Sequence, residues 1–280
     1  METISSQKCH GGTISVYKHA STETGTDMRF SLFVPPNVQN GAAPVLIWLS
    51  GLTCTEENFT TKANAYKRAS ELGLAILAPD TSPRGDNVPD EAGYDIGKGA
   101  GFYVDATQEP WAKNYRMESY IAEEIPALMR SAFPGLDTGR MGIFGHSMGG
   151  HGALTLFLRH KGLFKSVSAF SPICAPTQCP WGHKAFTAYL GKDQDTWLSH
   201  DASALMEGYL DAASLPPILI DQGTADQFLK DQLKPEKFEA ACKKAGATLT
   251  LRMQDGYDHS YFFIQSFIND HLDHHAAILT

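Results

Sequence analysis

The sequence predicts one α/β domain in which a mainly parallel sheet is covered by helices on both faces. Apolar runs without polar alternation recur along the chain, as in residues 44–49, and such runs are typical of strands buried on both faces. Segments with helical periodicity separate these runs, and strands that alternate with helices favour a parallel sheet. A chain of 280 residues suits one large domain of this class.

The predicted strands and helices alternate along most of the chain. The strands cover residues 14–18, 29–35, 44–49, 74–77, 141–144, 166–170, 216–221 and 249–253. The helices cover residues 60–72, 117–133, 148 onward, 235–245 and 260–275. Pro126 is expected to kink or break the second of these helices. The first two strands alternate apolar and polar residues, which favours antiparallel pairing at an edge of the sheet.

Three segments between these elements lack regular periodicity. Residues 35–41 form a predicted loop. Residues 81–114 form a long loop rich in glycine and proline, and a loop of this length in a compact domain usually has a function. Its interior, residues 97–106, is expected to line a path beside a pocket. Residues 171–215 contain short helical pieces, which we interpret as a helical insertion over the sheet within a single domain of residues 1–280.

The composition indicates an ordinary packed protein and excludes some classes of partner. Hydrophobic residues make up 42% of the chain and charged residues 19%. The net charge of −8 argues against nucleic acid and anionic membranes, since both attract basic surfaces. The chain starts without the apolar core of a signal peptide, and no apolar run reaches membrane-spanning length. The five cysteines are odd in number and scattered, which argues against a disulfide framework and favours a cytoplasmic location.

Residues 140–158 combine an apolar strand, a tight turn and a helix, and the turn carries the pattern Gly-x-Ser-x-Gly at 145–149. A residue on such a turn has strained backbone angles, and the residues two before and two after it must lack a Cβ for strand and helix to approach. The turn presents the Ser147 hydroxyl above a helix N-terminus, which favours developing negative charge. The pattern alone also arises by chance in glycine-rich turns. The flanking strand and helix favour Ser147 as a nucleophile.

A serine nucleophile needs a base, and position in the predicted fold selects among eleven histidines. On this type of sheet the chain order is nucleophile, acid and histidine, with the last two on loops after later strands. His259 follows the last strand and is the predicted base. His146 and His151 adjoin the serine but are expected to point elsewhere. The last helix carries three histidines that we expect to form a solvated tail without the neighbours of a metal site: His271, His274 and His275.

The loop after the strand at 216–221 is where the acid is expected. Asp226 lies within this loop and would fix the tautomer of the histidine and stabilise the imidazolium that forms during attack. Two alternatives remain open from the residues alone. Asp226 could instead cap a helix, and Asp221, which closes the strand, is the second candidate for the acid.

The developing oxyanion needs backbone N–H donors. One is expected from Met148, the residue after the nucleophile. The other is expected from Leu52, in the glycine-containing loop after an early central strand. This placement brings Cys54 to the rim of the site. We expect a bystander or substrate-contacting cysteine there, because the chain has no second His–Asp pair to activate a catalytic thiol.

Longer motifs are spread over nearly the whole chain. They are LSGLTCT at 49–55, SPRG at 82–85, GAGFYVDAT at 99–107, GHSMGGHG at 145–152, FSPIC at 170–174, DQGTADQF at 221–228 and GYDHSY at 256–261. Together they resemble the S-formylglutathione hydrolases of the esterase D family. The stretch at 87–95 departs from that family, which usually has a more acidic, tryptophan-containing segment there.

The resemblance implies an α/β-hydrolase fold and a set of site residues. The implied residues are the triad Ser147, Asp226 and His259, the oxyanion donors Leu52 and Met148, and the substrate-proximal Cys54 and Trp181. It also implies a cytosolic enzyme without cofactor or metal that often forms homodimers. The expected reaction is hydrolysis of S-formylglutathione, a small-molecule thioester, to glutathione and formate in formaldehyde detoxification.

Two other functions fit the fold. A general short-chain carboxylesterase, including one that acts on acylated sugars, would use the same triad. A non-catalytic interaction module on a hydrolase fold would be expected to lack a triad member, whereas all three predicted members are present. For the charged ends of glutathione, Arg84, Lys98 and Lys184 are candidate partners, although each also fits an ordinary surface charge.

Overall fold

The computed structural model describes residues 1–36, 38 and 42–280, and within them nine strands form one sheet. In chain order the strands are β1 (Glu2–Cys9), β2 (Gly12–Ala20), β3 (Asp27–Val34), β4 (Ala43–Leu49), β5 (Ala75–Pro79), β6 (Leu136–His146), β7 (Phe164–Phe170), β8 (Ile218–Gly223) and β9 (Leu249–Gln254). Their order across the sheet is β1-β2-β3-β5-β4-β6-β7-β8-β9. Most of the predicted loop at 35–41 lies outside the described residues.

The helices connect these strands. They are α1 (Glu56–Lys62), α2 (Tyr66–Leu72), α3 (Met117–Ser119), α4 (Ile125–Ala132), α5 (Met148–Arg159), α6 (Pro180–Tyr189), α7 (Gln194–Trp197), α8 (Ala202–Glu207), α9 (Pro235–Ala245) and α10 (Tyr261–Leu279). Short 3₁₀ turns at Pro176–Gln178, Leu198–His200 and Ala212–Ser214 accompany α6 to α8 between β7 and β8. The predicted helical pieces at 171–215 are thus present. No helix of the described chain is long and apolar enough to cross a membrane.

The sheet is mainly parallel, as predicted. β4 pairs in parallel with β5 and β6, and parallel pairing continues from β6 through β7 and β8 to β9. The strands β1 to β3 are antiparallel, and β3 joins the parallel part through an antiparallel pairing with β5. The carboxyl ends of the parallel strands therefore share one edge, where the loops after β4, β6, β8 and β9 meet.

Alternate residues of β4 enter two different cores. Successive side chains of a strand point to opposite faces of its sheet. Val45 and Ile47 belong to the core that also contains Leu154 of α5, whereas Leu46 and Trp48 belong to the core that contains residues of α10. The continuous apolar run of β4 is thus explained by helices that cover both faces.

Two predicted helices have a different form from the one expected. The helix at 60–72 is in fact two helices, α1 and α2, because Asn64 adopts a left-handed φ of 56° between them. The helix at 117–133 is interrupted, as Pro126 predicted, by a π-helical segment at Tyr120–Glu124 that separates α3 from α4. Proline has no N–H to donate, and a widened turn ahead of it accommodates the missing bond.

The edge strand β1 was not predicted from the sequence. Its segment ETISSQKC is polar, and six of its eight residues are exposed. An edge strand with two wet faces has neither the apolar run nor the alternation by which strands are recognised.

The prediction of a solvated C-terminal tail is wrong for the histidines of α10. His271 and His275 are fully buried against β7. His275 hydrogen-bonds through Nδ1 to Ser166 Oγ at 2.6 Å and through Nε2 to Ser168 Oγ at 2.9 Å. His271 bridges Ser168 Oγ at 2.8 Å and a carboxylate oxygen of Asp221 at 3.1 Å. A polar network therefore fastens α10 to the sheet beneath the carboxyl end of β8.

Replacing Asp221 by asparagine is expected to lower the free energy of unfolding by about 3 kcal/mol at pH 7. The substitution leaves the buried His271 and the partly buried Arg252 without the carboxylate that they contact. Burial would raise the pKa of Asp221, but the hydrogen bonds from His271 and Arg252 outweigh it and bring the pKa to about 2. The folded-state pKa thus lies below the ordinary value of 3.8. The stabilisation is complete above that value and is lost as the pH falls toward the folded-state pKa.

Urea unfolding of both proteins between pH 7 and pH 3 measures this effect. The difference between wild type and variant should shrink at the acid end. Asp273→Asn is the matched control, since Asp273 forms an exposed ion pair with Arg68 at 2.7 Å that should contribute less than about 1 kcal/mol. A constant difference over the whole range would show that the carboxylate charge of Asp221 does not stabilise the fold.

Candidate active site

Ser147 occupies the sharp turn between β6 and α5. Its φ of 58° and ψ of −118° lie in a sparsely populated region of backbone space, which costs free energy. Its N–H donates to the carbonyl of Phe170 at 3.0 Å, and its carbonyl accepts from the N–H of His151 at 2.9 Å. These bonds tie the turn to β7 and to the first turn of α5. The turn places Ser147 on the wall of a cavity at the carboxyl edge of the sheet.

Gly145 and Gly149 let the strand and the helix approach, as the sequence pattern predicts. A Cβ at Gly149 would overlap the carbonyl group of Leu49 on β4. A Cβ at Gly145 would overlap the carbonyl group of Gly149. Both obstacles are backbone atoms inside the sheet–helix junction, so neither can move aside.

Gly149→Ala is therefore expected to lower the free energy of unfolding by about 3 kcal/mol or more, through steric overlap in a packed interior. Equilibrium urea unfolding measures the change. The matched control is Gly208→Ala at the end of α8, where a Cβ would meet no atom closer than 3.8 Å and the change should stay within about 0.5 kcal/mol. Similar effects of the two substitutions would contradict the role of the missing Cβ at Gly149.

His259 and Asp226 form a hydrogen-bonded pair from the loops after β9 and β8. The Nδ1–Oδ2 distance is 2.5 Å, and since a carboxylate can only accept, Nδ1 carries the hydrogen. The Asp226 side chain is fully buried. Burial would raise the pKa of Asp226, but the hydrogen bond and charge of His259, together with the Phe228 N–H at 2.9 Å, outweigh it and lower the pKa. Asp226 is therefore a charged acceptor, whereas Asp221, the alternative acid, pairs with Arg252 and His271.

Ser147 and His259 line the same cavity. Within the described residues, no hydrogen bond joins the hydroxyl of one to the ring of the other. In unliganded enzymes such bonds are often long and tighten only when a substrate is bound. The structure thus brings the three predicted residues to one site and forms the Asp226–His259 contact, but not the Ser147–His259 contact.

Of the two predicted oxyanion donors, Leu52 is among the residues that line the cavity and Met148 is not. Met148 is the first residue of α5, and the N–H of a first helical residue has no acceptor within its helix. Leu52 belongs to the loop after β4 and lines the cavity. Its neighbours hold the loop in shape, because the Thr53 N–H donates to Gly99 O at 2.9 Å and the Cys54 N–H to Gly51 O at 3.3 Å.

The glycine-rich stretch at 97–106, which was expected to line a path beside a pocket, contacts this loop and is not itself among the residues that line the cavity. Tyr103 is buried, and its hydroxyl donates to the carbonyl of Ser50 at 2.9 Å. Gly99 packs directly on Thr53, where a Cβ would come within 3.1 Å of the Thr53 Cα. The stretch therefore supports the loop that carries Leu52.

The cavity has a volume of about 350 Å³, within the range of small-molecule sites. The predicted residues Cys54 and Trp181 line it, and Trp181 reaches it from α6. Nine further residues line the cavity that the sequence did not assign to the site: Gly51, Thr53, Asn58, Lys62, Tyr94, His146, Phe228, Ser260 and Tyr261. Phe228, Ser260 and Tyr261 adjoin predicted residues in sequence, so the motifs around Asp226 and His259 could have indicated them. Gly51, Thr53 and His146 also adjoin predicted residues in sequence, whereas Asn58, Lys62 and Tyr94 are brought to the site by the path of the chain in three dimensions.

Comparison with known proteins identifies the family of this site. The Esterase family, described as "Putative esterase", matches residues 21–274. The S-formylglutathione hydrolase of Mus musculus is 52% identical over 281 residues, and that of Arabidopsis thaliana is 53% identical over 281 residues. Both alignments cover 100% of this chain, and they cover 99% of the mouse protein and 98% of the plant protein. The solved S-formylglutathione hydrolase of Agrobacterium tumefaciens matches with a TM-score of 0.97 and 48% identity over the full length of both chains. The chain belongs to the S-formylglutathione hydrolase family.

Membership in the S-formylglutathione hydrolase family confirms the resemblance found in the motifs, the predicted fold and the prediction of a hydrolase. A ferulic acid esterase with a TM-score of 0.73 over 95% of the chain is only 18% identical and shares the fold alone. The family relationship therefore rests on the full-length relatives.

His146 faces His259, and the expectation that it points elsewhere is wrong. The centroids of the two imidazole rings are 4.3 Å apart. Burial, and secondarily the charge of His259, lower the pKa of His146 well below its ordinary value, so the ring is neutral. His151, by contrast, does point away, with its Nε2 hydrogen-bonded to Phe102 O at 3.1 Å. In this S-formylglutathione hydrolase family member, a neutral ring thus packs directly on the predicted base.

The three cations considered for the glutathione charges are not among the residues that line the cavity. Each pairs with a carboxylate elsewhere: Arg84 with Asp80, Lys98 with Asp90 and Lys184 with Asp95. The lysine that does line the cavity is Lys62.

Cys54 is held at the rim by its backbone. Its carbonyl accepts hydrogen bonds from Thr81 Oγ1 at 2.5 Å and Arg84 Nη2 at 3.2 Å. Burial raises the pKa of the Cys54 thiol, which disfavours the nucleophilic thiolate. In the described residues, no group of three or more histidine, cysteine, aspartate or glutamate side chains is arranged to hold a metal ion.

Proposed function

We propose that this enzyme hydrolyses S-formylglutathione to glutathione and formate, with Ser147 as nucleophile, His259 as base and Asp226 as the residue that orients the base. The observation that carries this proposal is the His259–Asp226 pair at 2.5 Å in the cavity that also contains Ser147. The substrate comes from the names of the full-length relatives, which are S-formylglutathione hydrolases.

In the first half of the reaction, the Ser147 oxygen attacks the formyl carbon while His259 Nε2 takes the hydroxyl proton. The carbonyl oxygen becomes an oxyanion that accepts hydrogen bonds from the N–H groups of Leu52 and Met148. Collapse of this intermediate breaks the carbon–sulfur bond and leaves a formyl ester on Ser147. The glutathione thiol has an ordinary pKa of about 8.5, so it leaves readily and demands little of the protonated His259.

In the second half, a water molecule takes the place of the thiol. His259 accepts a proton from this water as its oxygen attacks the formyl ester, and the same N–H groups hold the second oxyanion. Breaking the ester bond releases formate and returns the proton to Ser147. Asp226 remains charged throughout and stabilises the imidazolium that forms twice in each turnover.

The substrate class is tested by comparing kcat/KM for S-formylglutathione with kcat/KM for a short aryl ester. The proposal predicts a clear preference for the thioester. The second candidate is a general short-chain carboxylesterase, which the aromatic side chains of Tyr94, Trp181 and Phe228 in the cavity wall favour, since they offer an apolar surface to an aryl group. A preference for the aryl ester would support this second candidate.

The same resemblance supports a cytoplasmic homodimer without a cofactor that acts in formaldehyde detoxification, and one domain with the helical insertion at 171–215. α6 of that insertion contributes Trp181 to the cavity, which supports its inclusion in a single domain. Light scattering after size-exclusion chromatography tests the dimer. A single cooperative urea transition, with activity lost in the same transition, tests the single domain.

A further inference from the structure

The cavity beside Ser147 carries one side chain with a permanent charge among the described residues. Lys62, the last residue of α1, lines this cavity, and its lining includes no aspartate, glutamate or arginine. The whole chain has a net charge of −8, so an anionic substrate meets unfavourable potential over much of the surface. In the cavity, by contrast, an anionic substrate meets the positive charge of Lys62.

Lys62 is held in position by its surroundings and not by an acidic partner in the described chain. Its Nζ lies 5.7 Å from the centroid of the Tyr261 ring, which is a cation–π distance. Its carbonyl accepts a hydrogen bond from Gln265 Nε2 at 2.7 Å, which fastens the end of α1 to α10. Lys98 and Lys184 instead face carboxylates. The charge of Lys62 is therefore available to a ligand.

Asn58 lies one helical turn before Lys62 and also lines the cavity. Residues four apart on a helix are neighbours on one face. The Oδ1 atom of Asn58 accepts from the N–H of Thr55 at 2.9 Å in the capping box of α1. This bond fixes the orientation of the amide and leaves its N–H₂ group as the donor side. An ammonium and an amide donor on one helix face suit a carboxylate, which accepts from both.

We propose that Lys62, with Asn58, binds the glycine carboxylate of the glutathione leaving group. Glutathione has two carboxylates, and this inference about which one is bound rests on the proposed function. The γ-glutamyl end carries an ammonium beside its carboxylate. The cavity lining contains Lys62, which repels an ammonium, and no acidic side chain that would attract one. The glycine end carries a carboxylate alone. The charges of the wall therefore match the glycine end and oppose the γ-glutamyl end.

The test compares Lys62→Met with wild type on two thioesters, S-formylglutathione and its glycine ethyl ester. The ratio of kcat/KM for the free acid to kcat/KM for the ethyl ester is expected to fall by roughly threefold to tenfold in the variant, the range of a partly exposed charged contact. The fall should be in KM, and Lys62→Arg should restore most of the ratio. Added salt should lower the wild-type ratio toward that of the variant.

Lys67→Met is the matched control, because Lys67 is exposed on α2, lies outside this cavity and loses the same charge. It should keep the wild-type ratio, and urea midpoints establish that all variants are folded. An unchanged ratio in Lys62→Met, while wild type hydrolyses S-formylglutathione, overturns the inference and leaves the proposed function standing. An equal loss on both thioesters also overturns it, since Lys62 would then act on another part of the substrate. A wild-type enzyme inactive on both thioesters overturns the proposed function and the inference together.

Discussion

Ser147→Ala is expected to reduce kcat for S-formylglutathione by roughly a millionfold, the loss found when a triad nucleophile is removed. Alanine has no oxygen to form the formyl ester, so only the oxyanion donors and substrate binding remain to accelerate direct attack by water. The fold should be preserved, because the substitution removes one atom that faces the cavity and leaves the turn between β6 and α5 intact. Steady-state kinetics at a high enzyme concentration, with substrate still in excess, measure the residual rate.

Ser131→Ala serves as the control for Ser147→Ala. Ser131 is exposed on α4, where its hydroxyl donates to the Leu128 carbonyl at 3.1 Å, and its loss should leave kcat unchanged. If Ser147→Ala kept more than about a hundredth of the wild-type rate after repeated purification, the nucleophile would have to be another group.

Asp226→Asn is expected to lower kcat by about ten-thousandfold, the loss seen when a triad carboxylate becomes an amide. The buried carboxylate accepts from His259 Nδ1 at 2.5 Å. An asparagine that turned its N–H₂ group to the ring would require Nδ1 to accept, which places the ring hydrogen on Nε2. A ring in that tautomer cannot take the proton of Ser147. Kinetics at several pH values and a crystal structure of the variant would measure the rate and test for preserved geometry.

Asp255→Asn is the matched control for Asp226→Asn. Asp255 lies in the loop after β9, is exposed, and contacts Thr224 Oγ1 at 3.3 Å. Its replacement should change kcat by less than twofold. A loss of only tenfold in Asp226→Asn would mean that the tautomer of His259 is set by something other than this carboxylate.

The fold was predictable where burial determines residue type. β4 is apolar throughout because helices cover both of its faces, and its sequence shows this directly. The break between α1 and α2 was not predicted in the same way, because alanines at 63 and 65 continue a helical pattern across Asn64, whose φ of 56° ends α1. β1 lies at the wet edge of the sheet and has no pattern that distinguishes it from a loop.

The burial of His271 and His275 did leave a signal in the sequence. Ile264 and Ile268 are buried on the face of α10 that packs on the sheet. His271 and His275 continue this stripe at helical spacing, so the periodicity indicates burial. Their polarity led to the wrong prediction of exposure. The β7 serines that hydrogen-bond to these two histidines are about a hundred residues away in sequence.

The site was predictable where strand topology determines position. Ser147, Asp226 and His259 each follow a parallel strand at its carboxyl end, and this order along the chain is visible in the sequence. His146 and Lys62 could not be assigned in this way. Their place in the cavity depends on the rotation of a turn and on the path of α1, which local sequence does not determine.

The central claim is that the His259–Asp226 pair activates the hydroxyl of Ser147, and labelling with a fluorophosphonate tests it most directly. The reagent is added to wild type and to His259→Ala. Mass spectrometry identifies the modified peptide and measures the rate at which it forms. The account predicts one adduct per wild-type chain, on Ser147, formed at least a hundred times more slowly in the variant. An adduct on another residue, or equal rates of Ser147 labelling in the two proteins, would contradict it.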